Sequence, residues 1–319
     1  MSPDPQRLLE GICRRDPRAI ARAITLVEDC HPAAEPLLAA LDEAPLDKAT
    51  TVGITGPGGA GKSTLTQQLI AHWRGQGRRI GVVAIDPSSP ISGGALLGDR
   101  VRMMHHALDP QVVIRSMATR GRIGGLCAAA GAAVRIMAAS GCDPVIVETV
   151  GVGQAEIDVV RLTDLTVLVL APGLGDDIQA MKAGLVELAD LLVVNKSDRP
   201  DAEALAMEME PVARERNRRV CRTCAADGRG VPELARTIEE THCAGLENGL
   251  RERRNRCRQA EVLDWAIEIL QPRLREVLLG LGEVRGDPRA NARRLLESVG
   301  FQLVQDPASD SSSISKETR

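Results

Sequence analysis

The chain has 319 residues, 44% of them apolar, a net charge of −3 and eight cysteines. One Phe, no Tyr and two Trp leave a core of aliphatic side chains and nearly exclude aromatic stacking on nucleic-acid bases. The weakly negative balance supplies no global basic field for nucleic acid or a membrane surface.

Residues 1–47 read as a helical extension. Asp16-Pro17 is a helix start, a carboxylate cap followed by proline at the first helical position. Ile20, Ile24 and Val27 then recur on one face. Pro32, Pro36 and Pro45 break the segment into short pieces, and its expected role is packing on the flank of the domain that follows.

That domain, residues 48–242, is organised around Thr51-Val52-Gly53-Ile54-Thr55, a β-branched run that reads as a buried strand. It runs into Gly56-Pro57-Gly58-Gly59-Ala60-Gly61-Lys62-Ser63-Thr64, a full match to the phosphate-loop pattern G-x-x-x-x-G-K-S/T. Glycines let consecutive backbone N–H groups curl around a phosphate, and the following helix turns its positive end to the same anion. Lys62 supplies charge for the β- and γ-phosphates, and the Ser63 hydroxyl is a Mg²⁺ ligand. A nucleoside triphosphate is the expected ligand.

Helix 62–74 precedes a second buried strand, 80–85, which stops at Asp86 before Pro87 and Pro90. A carboxylate at the C-terminal end of a strand in an open α/β sheet lies where ligands bind. The short strand 112–114 leads into a polar, glycine- and arginine-bearing stretch, 115–125. That stretch reads equally as a switch or partner-contact segment and as an ordinary surface loop. Helix 126–140 and strand 144–147 deliver Glu148, with Gly151 three residues on. There a carboxylate holds Mg²⁺, directly or through water, and a glycine N–H meets the γ-phosphate.

Strand 165–170, helix 177–188 and strand 191–194 follow, and the last ends in Asn195-Lys196-Ser197-Asp198. An aspartate at the end of a strand accepts from guanine N1–H and the exocyclic amine, a donor pair adenine lacks. Guanine is the expected base. Helix 201–216 and strand 219–223 lead to Cys224-Ala225-Ala226-Asp227-Gly228-Arg229-Gly230, a second base-contacting loop. Cys221-x-x-Cys224 has no second pair and reads as buried or incidental thiols, and His105-His106 do not face one site. Leu263, Ile267, Leu270, Leu274 and Leu278 then recur at helical spacing in an arm spanning 243–305, with Pro272 as a kink. An arm this long packs on its own domain or on a second copy, and a homodimer is favoured. The arginine-rich stretch 251–258 reads as a solvated helical face, and the serine-bearing stretch 306–319 as a disordered tail.

The phosphate loop, D-P-S-S-P-I-S-G-G-A-L-L-G-D-R, R-S-M-A-T-R-G-R-I-G-G-L, E-T-V-G-V-G-Q-A-E and N-K-S-D together resemble the MeaB/ArgK/MMAA family, from about Asp16 to Phe301. These are GTPases of the SIMIBI class, metallochaperones of methylmalonyl-CoA mutase and related acyl-CoA mutases. The resemblance implies an α/β P-loop NTPase with a mainly parallel sheet flanked by helices, a helical dimerisation arm, and a partner that uses adenosylcobalamin. It implies a magnesium sphere of Ser63, Asp86, Asp99 and Glu148, guanine read by Asn195, Lys196 and Asp198, and a further switch at 175–182 that communicates with the mutase. Two departures stand out: Ala225-Ala226 where the family carries Ser-Ala, and Gln154-Ala155-Glu156 where it carries Gln-Ser-Glu.

The implied reaction is in-line attack of water on the γ-phosphate, with Lys62, Mg²⁺ and backbone N–H groups neutralising charge. Val152 stands where many GTPases place a water-orienting glutamine, so slow intrinsic turnover with partner stimulation is expected, Gln154, Lys182 and Arg120 being the candidates to complete the site. The rivals are a P-loop kinase or ATPase acting on a transport protein or small molecule, a metal-insertion GTPase of the same class, and a scaffold holding GTP only structurally. The chain shows no run of about 18 apolar residues and no signal-peptide pattern, and its scattered cysteines suit a reducing compartment. A cytoplasmic location is expected.

Overall fold

Strands β1 (Thr51–Thr55), β4 (Val145–Thr149), β5 (Leu165–Leu170) and β6 (Leu191–Val194) are buried at every position. Near-continuous apolar runs of this kind need cover on both faces, the condition of a parallel sheet between helix layers. The computed structural model describes residues 3–41, 44–86, 106, 108–118, 125–149, 155–174, 184–280 and 284–301. With β2 (Ile80–Asp86), β3 (Val112–Ala118) and β7 (Arg219–Arg222) these strands form one sheet in the order β3-β2-β4-β1-β5-β6-β7. Every pairing is parallel. The fold is thus the α/β P-loop architecture expected, and all strand C-terminal ends share one edge.

The N-terminal helices are α1 (Pro5–Cys13), α2 (Pro17–Glu28), α3 (Ala34–Ala39) and α4 (Ala44–Lys48). Asp16 caps α2 by accepting from Arg18 N at 2.9 Å, and Asp4 does the same for α1 toward Gln6 N at 3.0 Å. Helices α5 (Lys62–Gly75), α6 (Gly125–Ala139), α7 (Ala155–Leu162), α8 (Leu185–Leu188), α9 (Ala202–Glu215) and α10 (Val231–Glu247) alternate with the strands. Alternation along β5 decides which layer each residue meets. Val167 and Val169 pack with Leu65, Leu69 and Trp73 of α5 and Leu234 and Ile238 of α10. Leu168 and Leu170 pack with Leu205, Ala206 and Met209 of α9. The N-terminal extension lies on the flank through α2 against α6.

Two expectations are corrected. β3 runs through Ala118, so Arg115, Ser116, Met117 and Ala118 belong to a strand rather than to the polar loop. They pair with Val83, Ala84, Ile85 and Asp86 of β2. Polar side chains are tolerated here because β3 ends the sheet, and Arg115 is held by Glu28 and by the Thr25 hydroxyl at 3.2 Å. The stretch 251–258 is not simply a solvated face. Arg253 donates to both oxygens of Asp190 at 2.9 and 2.8 Å, and Arg254 to both of Asp164 at 2.7 and 2.8 Å. These two guanidiniums seat the first turns of α11 (Leu250–Gly280) beneath β5 and β6.

The chain divides into two compact units, Met1–Asp264 and Trp265–Arg319. In the second, α11 continues past Pro272 to Gly280, and α12 (Pro288–Ser298) starts at Asp287, which accepts from Ala290 N at 2.9 Å. Of the expected helix 177–188, the part described is α8; the stretch 306–319 lies outside the described residues.

Candidate nucleotide site

The phosphate loop leaves β1 at the middle of the sheet and must cross the end of β5. Gly56 has φ +139°, and a Cβ there would meet the Val169 carbonyl oxygen at 2.1 Å. Gly61, at φ +90°, caps α5, where a Cβ would lie 2.4 Å from Asn195 Nδ2. Both positions therefore require glycine. No side chain caps α5, so its first N–H groups face the loop's concavity, a ready anion seat. Lys62 is buried, with Nζ donating to the Gly56 and Pro57 carbonyls at 2.7 and 3.0 Å. The ammonium lies back across the loop that would hold the phosphates.

Ser63, one residue into α5, donates to Glu148 Oε1 at 2.6 Å. Glu148 is fully buried in β4, between Ile54 of β1 and Ala84 of β2. A hydroxyl and an ionisable carboxylate converging at the strand ends form a hard-oxygen donor set, which fits Mg²⁺ and would hold it beside the phosphate loop. Asp86 closes β2, but its side chain and Asp99, Gly151, Gln154, Lys182 and Arg120 lie outside the described residues.

Asn195 follows β6 and is buried. Its Nδ2 donates to the Ala60 carbonyl at 2.8 Å, while Oδ1 accepts from Ala225 N at 3.0 Å and Thr223 Oγ1 at 3.1 Å. One amide thus ties the phosphate loop to the loop after β7. Lys196 takes φ +56° and reaches back to the Gly59 carbonyl at 2.6 Å. Asp198 is exposed, and its Oδ1 accepts from the Cys224 thiol at 3.3 Å.

Cys224 is the side chain that sequence reasoning misses. The motif comparison points to Ala225-Ala226, yet Ala225 offers its N–H to Asn195, Ala226 is exposed, and the group that touches Asp198 comes one residue earlier. Thr223-Cys224-Ala225, read as a unit, is the available signal. Burial raises the Cys224 thiol above its ordinary value, and the Asp198 carboxylate adds to this. Burial also raises Cys221, which packs partly against the main core. Neither thiol is a thiolate at neutral pH. Among the described residues no three His, Cys, Asp or Glu side chains gather as a metal site, and the described cysteines are unbridged.

The family model for methylmalonyl-CoA mutase-associated GTPase MeaB matches residues 20–278. The chain belongs to the MeaB family. Membership makes it a GTPase, with GTP and GDP as its nucleotides and Mg²⁺ as their companion ion. A candidate GTPase of Pyrococcus horikoshii is 49% identical over 243 residues, 73% of this chain and 76% of that one. The GTPase ArgK of Escherichia coli is 34% identical over 310 residues, covering 89% of this chain and 93% of its own. The mitochondrial methylmalonic aciduria type A homolog of Mus musculus is 36% identical over 266 residues, 76% of this chain and 64% of that protein. Among solved structures, a protein named LAO/AO transport system kinase superposes with a TM-score of 0.65 at 27% identity, over 93% of this chain and 98% of its own. No helix among the described residues of this MeaB-family chain is long and apolar enough to cross a membrane.

Proposed function

We propose that this MeaB-family GTPase is a chaperone of an adenosylcobalamin-dependent acyl-CoA mutase, with methylmalonyl-CoA mutase as the first candidate. In this reading it gates cofactor loading and protects or reactivates the mutase, and adenosylcobalamin is met only through the partner. The family's association with methylmalonyl-CoA mutase supports the client. The observation that carries the nucleotide chemistry is Asn195, whose amide bonds the phosphate loop on one side and the base loop on the other. An effect on one loop is then felt at the other, as a nucleotide-timed device requires.

GTP lies with its phosphates over residues 56–64 and its base at Asn195, Lys196 and Asp198. Lys62 leaves the Gly56 and Pro57 carbonyls for the phosphate oxygens, and the N–H groups of the loop and of α5 take the developing charge. Ser63, Glu148, Asp86 and Asp99 would hold Mg²⁺, which would supply charge neutralisation to the phosphates. Water attacks the γ-phosphate in line. Gly151 meets that phosphate, and Gln154, Lys182 and Arg120 complete the site when the partner engages. With Val152 at the position after Gly151, intrinsic turnover is slow. Exposed apolar side chains along α11, such as Val262, Ile269 and Leu279, support a homodimer through this arm, and we place the protein in the cytoplasm.

The test is GTP turnover by the full chain, alone and with purified adenosylcobalamin-dependent mutases, with ATP as control. Slow GTP hydrolysis rising several-fold with one mutase supports the proposal. The name of the solved relative keeps one rival in view: transfer of phosphate from ATP to a transport protein, with indifference to every mutase, would replace the chaperone reading with a kinase.

A further inference from the structure

β7 ends the sheet, and unlike β1, β4, β5 and β6 it is fully buried at none of its positions. An edge strand offers a row of unpaired N–H and C=O groups to another chain. Which groups are free follows from the ladder to β6. Thr223 N donates to the Val194 carbonyl at 2.9 Å, and the Thr223 carbonyl accepts from Ser197 N at 3.0 Å. The Thr223 backbone therefore faces β6. Alternate residues turn the other way, which aims the N–H and C=O of Val220 and the N–H of Arg222 out of the sheet. None of these three groups bonds another described residue. The Arg222 carbonyl is closed off by Gly230, where a Cβ would lie 2.1 Å from it.

Beside this edge runs a groove of about 410 Å³ between α9 and α10, the size of a binding cleft. The arginines of β7 are drawn onto the two helices, away from the open backbone. Arg219 pairs with Glu240 of α10 at 2.8 Å, and Arg222 with Glu203 and Glu210 of α9, each at 3.1 Å. Two further guanidiniums have no carboxylate of their own among the described residues. Arg218 donates to the Val186 and Glu187 carbonyls at 2.7 and 2.6 Å. Arg214 reaches Glu210 only at 3.8 Å, a carboxylate already bonded to Arg222. Four arginines thus line the groove against Glu210 and Glu233. Met207, 62% exposed, stands on the same face of α9, about one turn from both Glu203 and Glu210.

We propose that the open edge of β7 is a docking site for an extended acidic segment of another protein, which adds to the sheet as a strand and sets its carboxylates on the groove's arginines. Main-chain bonds supply affinity in such an arrangement, and alternate side chains choose the partner. A second copy of this chain fits poorly. Laid antiparallel on the same edge, it brings Arg218, Arg219 and Arg222 of both copies into one contact, and like charges across a strand pair are destabilising.

The experiment follows the fluorescence anisotropy of a labelled octapeptide of alternating glutamate and valine, titrated with the full chain. Saturable binding is expected, and lysine in place of glutamate should abolish it. The same peptide N-methylated throughout keeps its charge but cannot donate to the edge. It should bind at least about tenfold more weakly, the worth of one or two hydrogen bonds. Val220→Pro removes the outward N–H and keeps the ladder to β6, since an edge strand takes proline on its open side. It should cause a similar loss with an unchanged denaturation midpoint, and Arg214→Glu should weaken the peptide several-fold. Equal binding of the plain and N-methylated peptides would mean charge attraction without a strand. No saturable binding of the glutamate peptide would mean that the edge is closed. Either result overturns the proposal. So does a self-association, seen by sedimentation, that Val220→Pro abolishes, because the edge would then belong to a second copy.

Discussion

Arg254 grips Asp164 with two hydrogen bonds, Nε to Oδ1 at 2.7 Å and Nη2 to Oδ2 at 2.8 Å, while also donating to the Asp47 and Ala49 carbonyls at 2.8 and 3.0 Å. Asp164 in turn accepts from Thr51 N at 3.0 Å, at the start of β1. One guanidinium therefore fastens the N-terminal extension, the central strand and the first turns of α11. Truncating it leaves a buried carboxylate without its countercharge, at a cost of about 3–5 kcal/mol. Arg254→Ala should lower the denaturation midpoint accordingly. Because this network lies at the strand N-termini, away from the phosphate loop, GDP affinity of the folded variant should match wild type. Calorimetric titration and denaturant unfolding together check both halves.

The same network sets an acid limit. Burial on its own raises the Asp164 carboxyl, but the Arg254 hydrogen bonds, then His242 and the Thr51 N–H, outweigh it and hold the group well below the ordinary carboxylate range. A folded-state value below the unfolded one, about 3.9, means that the stabilisation is present above that pH. It is lost as pH falls through the folded-state value. Stability should decline as pH drops below about 4, and Asp164→Asn, already weakened at neutral pH, should show a shallower decline over that window. A parallel decline in both proteins would assign the acid limit to other groups.

Asn195 is the joint between the two halves of the nucleotide site. Replacing it with Ala removes the bond to Ala60 and leaves the Ala225 N–H and Thr223 hydroxyl, both buried, without their acceptor. Each buried group so stranded costs about 1–3 kcal/mol. GDP affinity should fall at least tenfold, and inorganic pyrophosphate, which touches only the phosphate loop, should lose affinity too. An effect confined to the base-bearing ligand would show that the loops are not mechanically joined.

Local rules make the phosphate loop and N-K-S-D readable, because each is a backbone conformation written in adjacent residues: glycines at φ +139° and +90°, and a carboxamide and a carboxylate at a strand end. What escapes the sequence is long in range. The partners of Arg253 and Arg254 lie 63 and 90 residues away, and nothing in an arginine-rich helical turn separates a buried clamp from a solvated face. Cys224 escapes for the same reason, since its contact with Asp198 spans 26 residues and two loops. β3 is longer than its sequence suggests because pairing with β2 overrides the weak strand preference of Arg115 and Ser116.

Ser63 and Glu148 form the remaining testable pair. Their 2.6 Å hydrogen bond joins the first turn of α5 to the end of β4, and in the proposed site both oxygens turn toward the same cation. Ser63→Ala removes a ligand, and Glu148→Gln removes the charge while keeping the shape. Loss of an outer-shell partner alone weakens metal affinity about 10- to 100-fold, and loss of a direct ligand weakens it at least as much. The Mg²⁺ concentration for half-maximal GTP turnover should rise by that factor or more in either variant. GDP affinity measured in excess chelator should change little, since the backbone N–H groups of the phosphate loop, Lys62 and the Asn195 joint are kept. Wild-type Mg²⁺ dependence in both variants would remove this pair from the metal sphere and leave the hydrogen bond as a strut between helix and sheet.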